Sequence, residues 1–369
     1  MIKAVVVTNI PAPYSLDLFN TIQNMDKDIE LSIIYSAMSR KNRTWTIDKT
    51  KMRNTYSLNS IIIAKKFNNY TRYIHIPRGT WNTLKKINPD VLLVYEYSIT
   101  SMISLFWSKV NRKKFIHVTE GTLRSEQGIA SIQKFFRKII SGKSDYFIAC
   151  SSKSKEKLMS WGIEDTRIRT ILLTSDIKQY ILQRKKYHNN EKCKQLLYVG
   201  SIEKGKGIDL LVTALKYVRN DVNLKIIGKG EKKYIDEITN LALEEGVNDK
   251  IQFLGFLEGK YLIKEYVNSD VFVFPSRSDC YGLVLVEAYC SGIPIVASKY
   301  ADGAYDVVEN KVNGLIIDPY NAIEFGNSIE KILSDESYYM NACKMNTKKF
   351  EIEKEAKDFI DVIYQIIKE

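Results

Sequence analysis

Residues 271–292 read VFVFPSRSDCYGLVLVEAYCSG: a short apolar run, a polar turn, then a longer apolar run. Val271–Phe274 has the length and composition of a buried strand, and Pro275 closes it. The run that begins near Gly282 reads as a helix. Its first backbone N–H groups, at Gly282 and Leu283, would have no intrahelical partner and would point back into the turn with partial positive charge. Such a turn is an anion site suited to phosphate. Two carboxylates flank it in a D-x7-E spacing, Asp279 on the lip and Glu287 more than one helical turn inside. Each also has a structural reading, because an acid ahead of a helix is a common cap and a glutamate within one is commonly solvated.

The same alternation of strand-like runs and helical periods fills the chain. IKAVVVTN precedes YSLDLFNTIQNM and DVLLVYE precedes ITSMISLFWSKV; in the second half QLLYVGS leads to IDLLVTALKYV and VNLKIIGKG to YIDEITNLALEEG. This is the grammar of α/β layers with parallel sheets. With 369 residues, 45% of them hydrophobic, two domains are expected. The polar, aperiodic stretch 184–194 is the expected linker, between a first domain at 1–183 and a second at 195–353. A final helix from about Lys354, apolar at Ala356, Phe359, Ile360, Ile363, Ile366 and Ile367, either packs on the second domain or crosses back to the first.

A second phosphate candidate lies at Gly200–Asp209, GSIEKGKGID, between a strand and a helix. It contains G-x4-G-K, but Gly207 stands where a nucleotide-triphosphatase loop needs Ser or Thr for magnesium, and no later strand ends in the matching acid. An ordinary glycine turn with a solvated Lys206 is another reading of the segment. The five cysteines show no paired spacing and the three histidines cluster with none of them, so neither a disulfide framework nor a structural zinc is expected. The D-x-D at Asp26–Asp28 precedes a strand instead of ending one and reads as a turn.

Taken together, the ordered segments G…K-G, G-x-G, F-L-G, P-S…D-x7-E, G-x-P-I-V-A and N-G-L across Gln195–Pro319 resemble the retaining nucleotide-sugar glycosyltransferases of family four. The resemblance implies the GT-B fold: two Rossmann-like α/β domains with parallel sheets facing across a cleft. It implies that Gly200 and Ser201, Lys206, Gly228 and Gly230, Phe256 after Gly255, Asp279, Gly282, Leu283 and Glu287 bind the nucleotide sugar. Glu287 would hold ribose hydroxyls, Asp279 the donor sugar and Lys206 the leaving diphosphate. Two positions depart from the family pattern: Asp279 replaces the first Glu, and Ser201 replaces an arginine whose charge Lys204 could supply.

The first half resembles the family less. TNIPAPY after the first strand resembles a subgroup motif in which prolines stiffen a loop, so that Tyr14 and Ser15 face the cleft. After KFIHV the family places a histidine near the donor sugar, and Glu120 stands there, as a site residue or a turn acid. His117, inside the strand, reads as packed, and Arg124 as solvated.

The implied activity is metal-independent glycosyl transfer with retention, from a UDP- or GDP-sugar to a glycan or lipid-linked acceptor in bacterial cell-surface polysaccharide synthesis. No cofactor is expected. Lys206, Asp279 and Glu120 are the catalytic candidates. A nucleotide-sugar 2-epimerase or hydrolase of the same architecture, and a non-enzymatic polyanion-binding protein, are the alternatives. Residues 1–190 hold 32 Lys/Arg against 14 Asp/Glu, whereas 191–369 hold 23 against 29. That asymmetry suggests an anionic surface against the first half. No zinc-finger, RNA-recognition or basic-zipper pattern accompanies it, and the aromatic-basic run Tyr70–Tyr73 is a meagre nucleic-acid signal. No run is long enough to span a bilayer, so a cytoplasmic protein peripheral on the inner membrane face is expected, with clusters at Arg112–Lys114, Lys134–Lys138 and Arg184–Lys186 as contacts.

Overall fold

The computed structural model describes residues 1–39, 47–66, 71–184 and 193–368. Most of the expected linker, residues 185–192, lies outside them, as do Tyr70, Lys185 and Lys186. The chain forms two compact units, Met1–Asp176 with Phe350–Glu369, and Ile177–Lys349.

In the first unit the strands are β1 (Ile2–Thr8), β2 (Ile29–Tyr35), β3 (Thr55–Ser57), β4 (Ile61–Lys66), β5 (Thr71–Ile76), β6 (Val91–Tyr95), β7 (Lys114–Thr119), β8 (Tyr146–Ala149) and β9 (Ile168–Thr170). Seven of them form one sheet in the order β3-β2-β1-β6-β7-β8-β9, and β4 with β5 forms a separate antiparallel hairpin. Every pairing in the seven-stranded sheet is parallel. The helices are α1 (Pro13–Met25), α2 (Thr80–Ile87), α3 (Ile99–Val110), α4 (Ser131–Lys143) and α5 (Ser152–Ser160). Val, Ile and Leu runs such as Ala4–Val7 and Val91–Val94 are fully buried, as strands covered on both faces must be. One core gathers Val5, Ile34, Leu92, Leu105 and Trp107.

The second unit opens with α6 (Lys178–Leu182) and holds β10 (Lys194–Val199), α7 (Ile208–Leu215), β11 (Val222–Ile227), α8 (Lys232–Glu244), β12 (Ile251–Gly255), α9 (Gly259–Val267) and β13 (Val271–Phe274). It continues through α10 (Leu283–Cys290), β14 (Ile295–Ser298), α11 (Ala304–Val307), β15 (Gly314–Ile317), α12 (Ala322–Ser334) and α13 (Glu336–Cys343). The six strands pair in the order β12-β11-β10-β13-β14-β15, all parallel. Strand order therefore reverses beside β10, and in such sheets ligands bind outside the carboxyl ends of the strands at that reversal.

The last helix, α14 (Ile352–Lys368), lies along α1, and the Tyr364 hydroxyl meets the Asp26 carboxylate at 3.0 Å. It belongs to the first unit. Its buried stripe includes Ala356, Phe359, Ile363 and Ile366. The first unit closes at Asp176, short of the expected 183, because residues 177–184 pack on the second. There Tyr180 stands edge-on to Tyr266 at 5.5 Å, and Arg184 donates to the Cys290 carbonyl at 2.7 Å.

Candidate functional site

The site is built at the carboxyl ends of β10, β11 and β13, all within the second unit. After β10 the chain turns sharply at Gly200. A Cβ on Gly228, at the end of β11, would come within 1.8 Å of the Gly200 carbonyl oxygen. Only glycine lets these two strand ends approach so closely. Ile202 then bridges to Gly230, which joins the G-x-G segment to the loop. Phe256 follows β12 with its ring 39% exposed, and the Lys229 ammonium lies 4.8 Å from its centroid.

The loop 200–207 ends in a single 3-10 turn, Lys204–Lys206, and Gly207 caps α7 at φ +73°. A Cβ there would sit 2.1 Å from the Pro275 carbonyl oxygen. This gives a steric reason why the triphosphatase Ser or Thr has no place: any side chain at 207 collides with the neighbouring loop. That loop, 275–279, is stitched to the first. Arg277 donates from its backbone to the Gly205 carbonyl at 2.9 Å, and from its guanidinium to the Lys204 carbonyl at 2.6 Å. It also forks onto both Asp209 oxygens at 2.7 and 2.6 Å. A planar guanidinium fits that geometry where a lysine would not.

Lys206 donates to Asp279 Oδ2 at 2.6 Å, with side-chain exposures of 26% and 16%. Burial opposes the charge on Lys206, but the neighbouring Asp279 carboxylate and its hydrogen bond outweigh it, and Glu203 and Cys280 add to them, so its pKa is raised. Asp279 Oδ1 also accepts the Tyr281 N–H at 3.1 Å and so closes the turn before α10. Gly282, at φ +79°, is the cap and Leu283 the first helical residue, so the first N–H groups of α10 open toward the turn. Asp279 thus shapes the turn and faces the lysine.

Glu287 is one turn further in. Its carboxyl accepts from the Tyr266 hydroxyl at 2.9 Å. Burial pushes its pKa up to about 7, against the smaller downward pull of that hydrogen bond. Solvated it is not. Ser201, in the family's arginine position, is exposed and donates to Glu203 at 3.0 Å, while the exposed Lys204 offers its carbonyl to Arg277. The structure thus brings Gly200, Ser201, Lys206, Gly228, Gly230, Asp279, Gly282, Leu283 and Glu287 onto adjoining strand ends. Arg277, Asp209 and Tyr266 escaped the sequence reading. The single arginine of the 271–292 stretch, five residues ahead of the Gly282 cap, was the available signal for Arg277.

The first unit presents its own candidates separately. Tyr14 and Ser15 are not in a loop: Pro13 is the first residue of α1, because a proline loses no hydrogen bond there. The Ser15 hydroxyl donates to the Ala12 carbonyl at 2.9 Å. Glu120, at the end of β7, donates its backbone N–H to Glu96 Oε1 at 2.6 Å. Glu96 itself sits at φ +57°, a strained setting for a non-glycine residue at the end of β6. Beneath them Lys157, completely buried, meets the Thr119 hydroxyl at 3.0 Å and lies over the Tyr97 and Trp161 rings. Arg137 pairs with Glu126. His117 is fully buried, its pKa lowered to about 3 chiefly by burial, with aromatic rings on two sides.

Residues 180–350 match the family model of glycosyl transferases group 1. That segment belongs to the glycosyl transferases group 1. The chain is 32% identical over 180 residues to an uncharacterized glycosyltransferase of Methanocaldococcus jannaschii, the match covering 48% of this chain and 46% of the relative. It thus spans less than half the length of that curated relative. It is 26% identical, over 62% of each chain, to the N-acetylgalactosamine-N,N'-diacetylbacillosaminyl-diphospho-undecaprenol 4-alpha-N-acetylgalactosaminyltransferase of Campylobacter jejuni. Among solved structures, Anabaena Alr3699/HepE in complex with UDP superposes with a TM-score of 0.79 over 99% of this chain and 100% of that one, at 17% identity. At that identity the likeness shows the fold, two Rossmann-like units of the GT-B type, with the group 1 segment forming the second.

Proposed function

We propose that the protein is a retaining, metal-independent glycosyltransferase that moves a sugar from a UDP- or GDP-sugar to a hydroxyl of a glycan or lipid-linked acceptor in cell-surface polysaccharide synthesis. The observation that carries this is the half-covered Lys206–Asp279 pair, 2.6 Å apart, between a glycine loop and the open N-terminus of α10, with the half-buried Glu287 one turn further along that helix. A diphosphate at the turn would take donors from the Lys206 ammonium and the first α10 N–H groups. Negative charge gathers on that diphosphate as the sugar–oxygen bond breaks, so these donors stabilise the transition state more than the ground state. Glu287 holds ribose hydroxyls and Asp279 a sugar hydroxyl. The acceptor oxygen attacks from the leaving-group face, which retains configuration, and its proton passes to the departing phosphate oxygen. Glu120, in the family's histidine position, is assigned to the sugar.

Membrane association at the inner, cytoplasmic face is part of the proposal. Among the described residues no helix is long and apolar enough to cross a membrane. In the first unit α3 and α4 pack together and leave Phe106, Ile132 and Phe135 exposed, with Lys134 and Lys138 beside them. Lys113 and Arg137 are drawn into pairs with Asp90 and Glu126, so the attraction to anionic lipid falls to Arg112, Lys114, Lys134 and Lys138, at about 1 kcal/mol for each basic residue near the surface. Co-sedimentation at physiological salt with phosphatidylglycerol vesicles, neutral vesicles and duplex DNA tests this: capture by the anionic vesicles alone is expected, and capture by DNA alone contradicts it.

The activity is tested by thermal-shift screening against UDP-, GDP- and ADP-sugars, followed by assay of the stabilising donor with and without acceptor. Transfer with the anomeric configuration kept is the expected result. Donor turnover that needs no acceptor would instead mark an epimerase or hydrolase.

A further inference from the structure

Within the first unit, a cavity of about 470 Å³ opens beyond the carboxyl ends of β2 and β3. Its wall carries Ser57, Asn59, Ser60 and Arg78 over a floor that includes Ala37 and Leu58. The segment is tied to the end of β1, since Ser36 and Ala37 donate to the Thr8 and Asn9 carbonyls at 2.9 Å each. Two of the wall groups lack protein partners among the described residues. The Ser60 hydroxyl is buried with no hydrogen bond, and no carboxylate faces the exposed Arg78 guanidinium. A hydroxyl so placed is a group awaiting a partner, and an unengaged guanidinium beside it sets the sign of that partner as negative.

The rim of the same cavity is apolar. Ile61 lines it and begins the β4–β5 hairpin, where it pairs across with Ile76. Side chains alternate along a strand, so Ile61, Ile63 and Ile76 share one face while His75 turns to the other. The three isoleucines are 47%, 47% and 37% exposed, and His75 is buried at 4%. Three exposed isoleucines in one stripe, continuous with a polar, cationic cavity, are an amphiphilic arrangement: one end suits an anion, the other a hydrocarbon.

We propose that this cavity and hairpin bind a lipid diphosphate, with the diphosphate on Arg78, Asn59 and Ser60 and the hydrocarbon chain along Ile61, Ile63 and Ile76. This rests on the proposed glycosyl transfer and specifies its acceptor as lipid-linked, held by residues of the first unit. Arg78 supplies charge-assisted bonds to the phosphate oxygens, while the isoleucines remove the chain from water.

The test is equilibrium binding of farnesyl diphosphate and of inorganic pyrophosphate to the full-length protein and to Arg78→Ala, Ile61→Ser with Ile63→Ser, and Lys206→Ala. Circular dichroism checks that each variant is folded, as substitutions at these exposed positions should be. Arg78→Ala is expected to weaken farnesyl diphosphate binding at least about tenfold, the effect of losing a hydrogen bond to a charged group. The isoleucine variant is expected to weaken farnesyl diphosphate and leave pyrophosphate unchanged, and Lys206→Ala to leave farnesyl diphosphate binding intact. Farnesyl diphosphate binding that ignores Arg78 or the isoleucines, or that is lost with Lys206, overturns the assignment. Nucleoside diphosphate binding, measured alongside, reports on the glycosyl-transfer reading by itself: its absence defeats that reading, whereas its presence with an inert Arg78 defeats only this site.

Discussion

Each unit keeps a lysine beneath the carboxyl ends of its strands, but the two lysines live in opposite conditions. Lys206 is 26% exposed and bonded to one carboxylate, Asp279, at the mouth of a helix. Lys157 is completely buried, roofed by Thr119 and flanked by the Tyr97 and Trp161 rings, with Glu96 close enough to favour its charge. An ammonium in the first situation can add a phosphate oxygen to its partners without leaving the protein. In the second, any exchange would strand a charge in a dry interior, at several kcal/mol. The first arrangement is therefore suited to ligand chemistry and the second to holding a loop, the one that carries Glu120.

Substitution of the two lysines should break that contrast cleanly. Lys157→Met removes the larger of the two cationic neighbours that offset the burial of Glu96 and should cost about 3 kcal/mol of stability, measured by urea unfolding. Lys206→Met should cost less than about 1 kcal/mol, as expected for a partly solvated pair. Equal losses would erase the distinction. Activity should reverse the ranking: Lys206→Ala should lower kcat at least about 10²-fold, the scale for one preorganised donor at a developing anion. Transfer by Lys206→Ala at the native rate would remove the lysine from the chemistry.

The two carboxylates of the second unit separate next. Asp279→Ala should keep nucleotide affinity and lose turnover, whereas Glu287→Gln should weaken the nucleotide itself. A nucleotide Kd that rises only with Asp279→Ala would exchange the two roles.

Glu287 also gives the site a pH signature. Its folded pKa, about 7, is above the ordinary carboxyl value of 4.5 because burial disfavours the anion. Its contribution to stability is thus fully present below about pH 4.5 and is lost as pH rises through about 7. Nucleotide binding runs the other way. Ribose hydroxyls that donate to the carboxylate favour its charged form, so affinity should fall as pH drops below about 7. In Glu287→Gln both dependences should flatten, as calorimetry across pH 5.5–8 would show.

The difference between the units also explains what could be read from the chain alone. The strand–turn–helix of residues 271–292 and the loop 200–209 are continuous segments, so D-x7-E, the Gly282 cap and Lys206 were legible as local patterns. The alternation of strands and helices likewise fixed two parallel sheets in advance. Arg277 with Asp209, and Glu287 with Tyr266, join positions 68 and 21 residues apart, which no local pattern announces. In the first unit the polar network spans the ends of β6 and β7 and the helix α5, so no local pattern marks Glu96. Pro13 misled for a definite reason: a proline stiffens a loop and starts a helix equally well, and the helix won because Tyr14–Met25 has an apolar face to bury.

The central claim is that the loop 200–207 and the α10 mouth form a nucleoside diphosphate site, and titration calorimetry of the full-length protein with UDP and with GDP at pH 8 tests it most directly. One of the two should bind, more weakly to Lys206→Ala and to Glu287→Gln than to the native protein. Binding of neither nucleotide, or affinity unchanged in both variants, would contradict it.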